Sequence, residues 1–150
     1  MDPQTILLAV DDSESSIKAI DYVGRIVGHC PGFKVTIMHV IEDPPEDYFE
    51  HSRAREEFLA EKNLKTQIFL EQARDRLIEH GLNPNQVAFR SPVKSCSSMA
   101  ACILEEQEEE KAGTLVVGRR GISKSEEFLF GSVSNKIIHY ARHCTVWVVE

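Results

Sequence analysis

Short apolar runs and longer helical stripes of apolar residues alternate along the chain from one end to the other. Thr5-Ile6-Leu7-Leu8-Ala9-Val10 is apolar almost throughout, as expected for a strand covered on both faces. Asp11-Asp12-Ser13 stops that run and offers helix caps, a role that explains Ser13, Ser15 and Ser16 better than nucleophilic chemistry does. From Ile17 the apolar residues recur at Ile20, Val23 and Val27, a stripe that Gly28 can close. Lys34 to Ile41 is a second β-branched run, ended by Pro44 and Pro45, and His39 inside it reads as a satisfied interior histidine. Next comes a helical segment over roughly 55–80, with Leu70, Ala73 and Leu77 on one stripe and Gly81 as terminator. Gln86 to Arg90 is a weaker third strand.

Ser97 or Ser98 opens a helix through Met99, Ile103 and Leu104. It continues into Glu105-Glu106-Gln107-Glu108-Glu109-Glu110, which reads as a solvated acidic face. Thr114 to Val117 is a fourth strand of the buried kind. Val133, Ile137 and Tyr140 mark a last helix, and Thr145 to Val149 a final strand. Strands that alternate with helices and are apolar throughout predict a parallel sheet with helices on both faces. In such sheets ligands bind beyond the carboxyl ends of the strands, where the strand order reverses. Three places qualify: Asp11 and Asp12, Val40 and Ile41, and Gly118 onward.

Composition narrows the reading further. At 150 residues, 42% hydrophobic and 27% charged, the chain is expected to form one soluble domain over residues 1–150. A net charge of −7 argues against a nucleic-acid surface, which needs a basic patch. No run approaches the ~18 apolar residues of a membrane span. Cys30, Cys96, Cys102 and Cys144 form no C-x-x-C pair, and no signal peptide precedes them. They are read as free buried thiols in a reducing cytoplasm.

Candidate chemistry gathers after the fourth strand. Gly118 ends it, Gly121 follows three residues on, and Gly131-Ser132-Val133-Ser134 opens the next helix. Glycine permits positive φ and puts no Cβ between backbone and ligand. Successive amides in such a turn form an anion nest, and a helix start favours phosphate. The hydroxyls of Ser132 and Ser134 add donors, and Arg119 and Arg120 add charge. Spacing alone leaves a phosphate cradle and a plain turn both open, since neither G-x-x-x-x-G-K-S/T nor G-x-G-x-x-G occurs.

Gly118-x-x-Gly121-x9-Gly131-Ser132 resembles the ATP-binding signature of the universal stress protein family. ILLAVDDSESS resembles that family's first strand and acidic turn, KVTIMHVIED its second strand, TLVVGRRG its fourth, and GSVSNKIIHYARHCTVWVVE its closing helix and strand. The resemblance implies a Rossmann-like α/β fold, of the adenine nucleotide alpha hydrolase-like kind, with a five-stranded parallel sheet in the order 3-2-1-4-5. It also implies an adenine nucleotide (ATP, ADP or AMP) at the strand ends. Ala9 and Val40 resemble the residues flanking adenine, and Val117 and Gly118 those bordering base and ribose. Asp11 resembles the acidic residue near the ribose or a phosphate-bound Mg²⁺. Gly121, Gly131, Ser132, Val133 and Ser134 resemble the residues that wrap the phosphates, with Arg119 and Arg120 beside them. Two features depart from the pattern. Asp12 stands where glycine is usual, and its charge favours a metal-bridged triphosphate. The segment SPVKSCSS replaces a shorter glycine-containing turn.

The function so implied is a nucleotide-dependent switch in the stress response, cytoplasmic, and homodimeric through the final edge strand. The alternative is a slow Mg-dependent ATPase or phosphotransferase using the same pocket. A third class is a nucleotide-free interaction module, against which the intact glycines and Ser132 weigh. No Ser/His/Asp set, carboxylate pair or general base beside a γ-phosphate emerges from the sequence. Asp11-Asp12 is also similar to the acidic pair of receiver domains, but those need an aspartate ending strand three and a lysine after strand five. Phe89-Arg90-Ser91-Pro92 and a chain ending at Glu150 supply neither. His139 and His143 stand four apart with Cys144 adjacent, a metal-compatible spacing without a third ligand fixed by sequence.

Overall fold

The structure is a computed structural model, and the residues it describes are 1–119 and 132–150. In chain order the strands are β1 (Asp2–Ala9), β2 (Lys34–Met38), β3 (Ile41–Glu42), β4 (Val87–Arg90), β5 (Val93–Lys94), β6 (Ala112–Gly118) and β7 (Thr145–Val149). The helices are α1 (Glu14–Val27), α2 (Ser52–Glu79), α3 (Met99–Glu109) and α4 (Ser132–Tyr140). Five strands make one parallel sheet, β4-β2-β1-β6-β7. Counted among those five alone, the order is the expected 3-2-1-4-5. β3 and β5 pair separately as a short parallel extension.

The period of two along β1 explains why its second half, Ile6 to Ala9, is apolar at every position. Ile6, Leu8 and Val10 pack with Ala19, Ile20 and Val23 of α1 and with Leu70, Ala73 and Leu77 of α2. Leu7 and Ala9 face the other way, into a core shared with Ala100 and Ile103 of α3 and Ile137 of α4. The sheet is therefore covered by α1 and α2 on one face and by α3 and α4 on the other. α1 starts where the Ser13 hydroxyl accepts from the Ser16 amide at 3.3 Å, and α2 is followed by Gly81 at φ +105°, a left-handed turn suited to glycine. Across α1 and α2, Asp21 binds Arg76 at 2.5 and 2.7 Å and His80 at 3.0 Å. The Arg76 hydrogen bond outweighs the opposing effect of burial and, with His80, holds the Asp21 carboxyl at a pKa of about 2.

Three local expectations are corrected. The second strand was expected to run unbroken to Ile41, but it stops at Met38 and resumes as β3. Pro92 has no N–H, so the ladder beside it is interrupted; the Ile41 amide instead donates to the Pro92 carbonyl at 2.9 Å. The acidic run is not a uniformly solvated face. Glu106 is fully buried, 2.5 Å from Arg90 and 2.7 Å from Lys94, and Glu110 also pairs with Arg90. Helical periodicity turns Glu106 inward against the two cations at the ends of β4 and β5, which a count of acidic residues does not reveal. The four cysteines are not all free. Cys96 and Cys102 form a disulfide, because the Ser98 cap turns the chain back and brings their Cα atoms to 5.6 Å. Cys30 and Cys144 remain as free, half-buried thiols, so the cysteines carry no argument for a reducing compartment.

Candidate nucleotide site

Strand order alone locates the site. β1 lies between β2 and β6, so the chain winds away from β1 in opposite directions and leaves a crevice at its carboxyl end. Register then places Ala9 directly between Met38 of β2 and Val117 of β6. These three form the floor of a cavity of about 650 Å³, within the size range of small-molecule sites. Met99 and Ile103 of α3 and Val40 complete its apolar wall.

Of the twelve residues expected at a nucleotide, Arg120, Gly121 and Gly131 lie outside the described residues. The other nine, drawn from separate parts of the chain, all line this one cavity. Ala9 and Asp11 come from the end of β1, Val40 from the break after β2, and Val117, Gly118 and Arg119 from the end of β6. Ser132, Val133 and Ser134 come from the first turn of α4.

Asp11 is fixed by the start of α1. Its Oδ1 accepts from the Ser13 amide and from the Ser16 hydroxyl, both at 2.9 Å, while its own amide donates to Ser16 Oγ at 2.9 Å. Oδ2 accepts no hydrogen bond from the described residues. Asp12 is exposed and does not line the cavity, so the charge expected beside the phosphates points elsewhere. Gly118 lines the cavity and also has a packing reason to be glycine. A Cβ there would lie 2.7 Å from the Ser15 Cβ, so its bareness accommodates the first turn of α1. Arg119 pairs with Glu150, its amide donates to the Val149 carbonyl at 2.6 Å, and its carbonyl accepts from the Ser134 hydroxyl at 2.8 Å. Its charge is thus neutralised at the end of β7.

His39 is half-buried and satisfied, as expected, and it also lines the cavity: Nδ1 lies 2.8 Å from the Val10 carbonyl, an acceptor, so Nδ1 carries the donated proton. In the neutral ring that leaves Nε2 as an acceptor. The signal was its place at the end of a central parallel strand. Val40 contributes its backbone as well. The amides of His39, Ile41 and Asp43 donate toward Arg90, Pro92 and Lys94 on one side. Alternation along an extended chain directs the Val40 amide and carbonyl to the opposite side, where β1 has already ended. Neither group has a partner among the described residues.

Other candidates are not assembled. α4 ends at Tyr140, so His143, at φ +58°, is not one turn along the same helix as His139. Among the described residues no group of three or more His, Cys, Asp or Glu side chains is arranged to hold a metal ion. No helix among them is long and apolar enough to cross a membrane.

A doubly wound parallel sheet with a cavity at the reversal of strand order defines a Rossmann-like α/β protein of the strand-end binding class. The family model of the universal stress protein family matches residues 3–150, and the chain belongs to that family. No curated protein matches it in sequence comparison. Among solved structures, a universal stress protein in complex with cAMP is 26% identical, with 98% of this chain and 96% of that chain covered at a TM-score of 0.69. A universal stress protein from Lactobacillus plantarum is 15% identical and covers 100% and 99% at 0.83. One from Archaeoglobus fulgidus, in complex with dAMP, is 17% identical and covers 97% of each chain at 0.70.

Proposed function

We propose that the chain binds an adenine nucleotide, ATP or its di- or monophosphate, across the strand ends, and acts as a nucleotide-dependent switch in a stress response. The observation that carries this reading is the convergence of nine residues from both halves of the sheet on one cavity of about 650 Å³. The base occupies the apolar part, between Ala9, Val117 and Val40, where the unpartnered Val40 amide and carbonyl meet its polar edge. The phosphates lie toward the first turn of α4, where Ser132 and the amide dipoles favour negative charge. Support also comes from the relatives solved with cAMP and dAMP.

Asp11 would hold Mg²⁺ as a single carboxylate ligand, and the ion would offset charge on the phosphates. Slow hydrolysis would use the same pocket, but the pairing of Arg119 with Glu150 ranks binding first. Occupancy alters the surface around the cavity mouth, and β7, which among the described residues pairs only with β6, offers its other edge to a second copy of the chain. A cytoplasmic setting fits such a switch.

The test is a calorimetric titration with ATP, with and without Mg²⁺, alongside analysis of nucleotide released on denaturing freshly purified protein. One-to-one binding is expected, weakened about tenfold or more by Ala9→Leu, which fills the cavity floor. Absence of binding by the wild type under both conditions contradicts the proposal. Sedimentation as a monomer at micromolar concentration would refute the dimer.

A further inference from the structure

The cavity continues past the strand ends that carry Ala9, Val40 and Val117. Past Val40 the chain continues along its wall to Pro44 and Pro45, and the same space is lined by Tyr48, Phe58 and Lys62. This end is a built feature. Ile41 and Glu42 of β3 line it while pairing with β5, and the Asp43 amide donates to the Lys94 carbonyl at 2.9 Å. The Asp43 carboxylate pairs with Arg55 of α2, and the Tyr48 amide donates to the Pro45 carbonyl at 3.0 Å. Phe49 joins the two aromatic walls, its ring centre 4.9 Å from that of Tyr48 and 5.3 Å from that of Phe58. Lys62 makes no ion pair among the described residues, leaving a cation at the rim beside these rings.

Topology says which ligand atoms reach this lobe. β2 and β6 lie on opposite sides of β1, so phosphates beside β6 and α4 sit at one end of the cavity and the lobe beyond β2 at the other. A group joined through the phosphate chain would leave at the wrong end. A group joined to the base edge that meets Val40 would enter the lobe directly. Apolar and aromatic walls favour a flat apolar group over a sugar, and Glu42 and Asp43, which line the same cavity, disfavour an anion-rich one.

We propose that the lobe formed by Pro44, Pro45, Tyr48 and Phe58 is a second subsite, for an aryl or similarly flat apolar substituent on the exocyclic amine of a bound adenine nucleotide. This rests on the nucleotide reading above. The substituted amine keeps one N–H, enough to donate to the Val40 carbonyl.

Calorimetric titrations of the full chain with ATP, and with the ATP analogue carrying a benzyl group on that amine, test the subsite. The analogue is expected to bind about tenfold tighter than ATP, consistent with burial of one aromatic ring. That advantage should fall to about twofold or less in Phe58→Ala and in Tyr48→Ala. Tyr48 is 69% exposed, so its truncation spares the core. An analogue bound no tighter than ATP, or an advantage that survives both truncations, overturns the subsite while leaving nucleotide binding intact. Binding of neither ligand overturns both.

Discussion

Gly118→Ala separates a glycine required by the fold from one required by a ligand. An added Cβ at residue 118 lies 2.7 Å from the Ser15 Cβ and 2.9 Å from the Ser15 carbonyl carbon. Favourable carbon–carbon contact begins at about 3.5 Å, so the shortfall is large. The obstructing atoms are not the far end of a flexible chain. They belong to the first turn of α1, which the Ser13 cap and the Asp11–Ser16 hydrogen bonds hold in place. Relief requires the helix start to move, a small-to-large change that costs about 1–3 kcal/mol. For a chain of this size the melting temperature should fall by roughly 3–10 °C in the absence of any ligand. Calorimetric melting of the nucleotide-free protein measures this. The same displacement moves Asp11, so ATP affinity should drop as well. Ser15→Gly removes the nearer contact, and the double variant should be less destabilised than the two single losses together. An unchanged melting temperature of the nucleotide-free protein, with ATP binding lost, would return Gly118 to the role of a bare ligand contact and refute the packing argument.

Acid should weaken the α1–α2 contact through Asp21. Its folded pKa of about 2 is depressed from 3.8, so its contribution is fully present above about pH 4 and is lost as pH falls through about 2. Because Arg76 is partly exposed, about 1 kcal/mol is expected; urea unfolding of Asp21→Asn should show a deficit at pH 6 that shrinks toward pH 2. An equal deficit at both pH values would sink the assignment. Removing the buried carboxylate by Glu106→Gln leaves Arg90 and Lys94 without their inner partner and should lower unfolding free energy by about 2–3 kcal/mol in urea. A loss below about 0.5 kcal/mol would mean that the acidic run is a solvated face after all. Thiol titration of unfolded, unreduced protein should find two reactive groups, Cys30 and Cys144, whereas four would contradict the Cys96–Cys102 bond.

The sheet was legible because its physics is local. A strand buried on both faces reads as a near-continuous apolar run, and Ile6–Ala9 of β1 and Leu115–Val117 of β6 do, so the existence of these central strands follows from the chain alone. The place of the cavity was legible once the family resemblance supplied the strand order 3-2-1-4-5, whose reversal at β1 the structure shows. What escaped depended on which way single side chains turn. Glu106 differs from Glu105 only by one helical step, yet one is fully buried and the other exposed. His39 sits in a run that looks unbroken in sequence, and the interruption comes from Pro92, between β4 and β5. Tyr48, Phe58 and Lys62 are more distant still. They line the cavity where the connection after β3 meets α2, and the Asp43–Arg55 pair there spans twelve residues without a sequence signature.

Amide chemical shifts, recorded while the isotope-labelled protein is titrated with ATP and Mg²⁺, test nucleotide binding at the strand ends most directly. The Val40 amide, which has no partner among the described residues, should show one of the largest saturable shifts, accompanied by Ala9, Gly118 and Ser134. No saturable shift, or shifts confined to residues away from this cavity, would contradict the account.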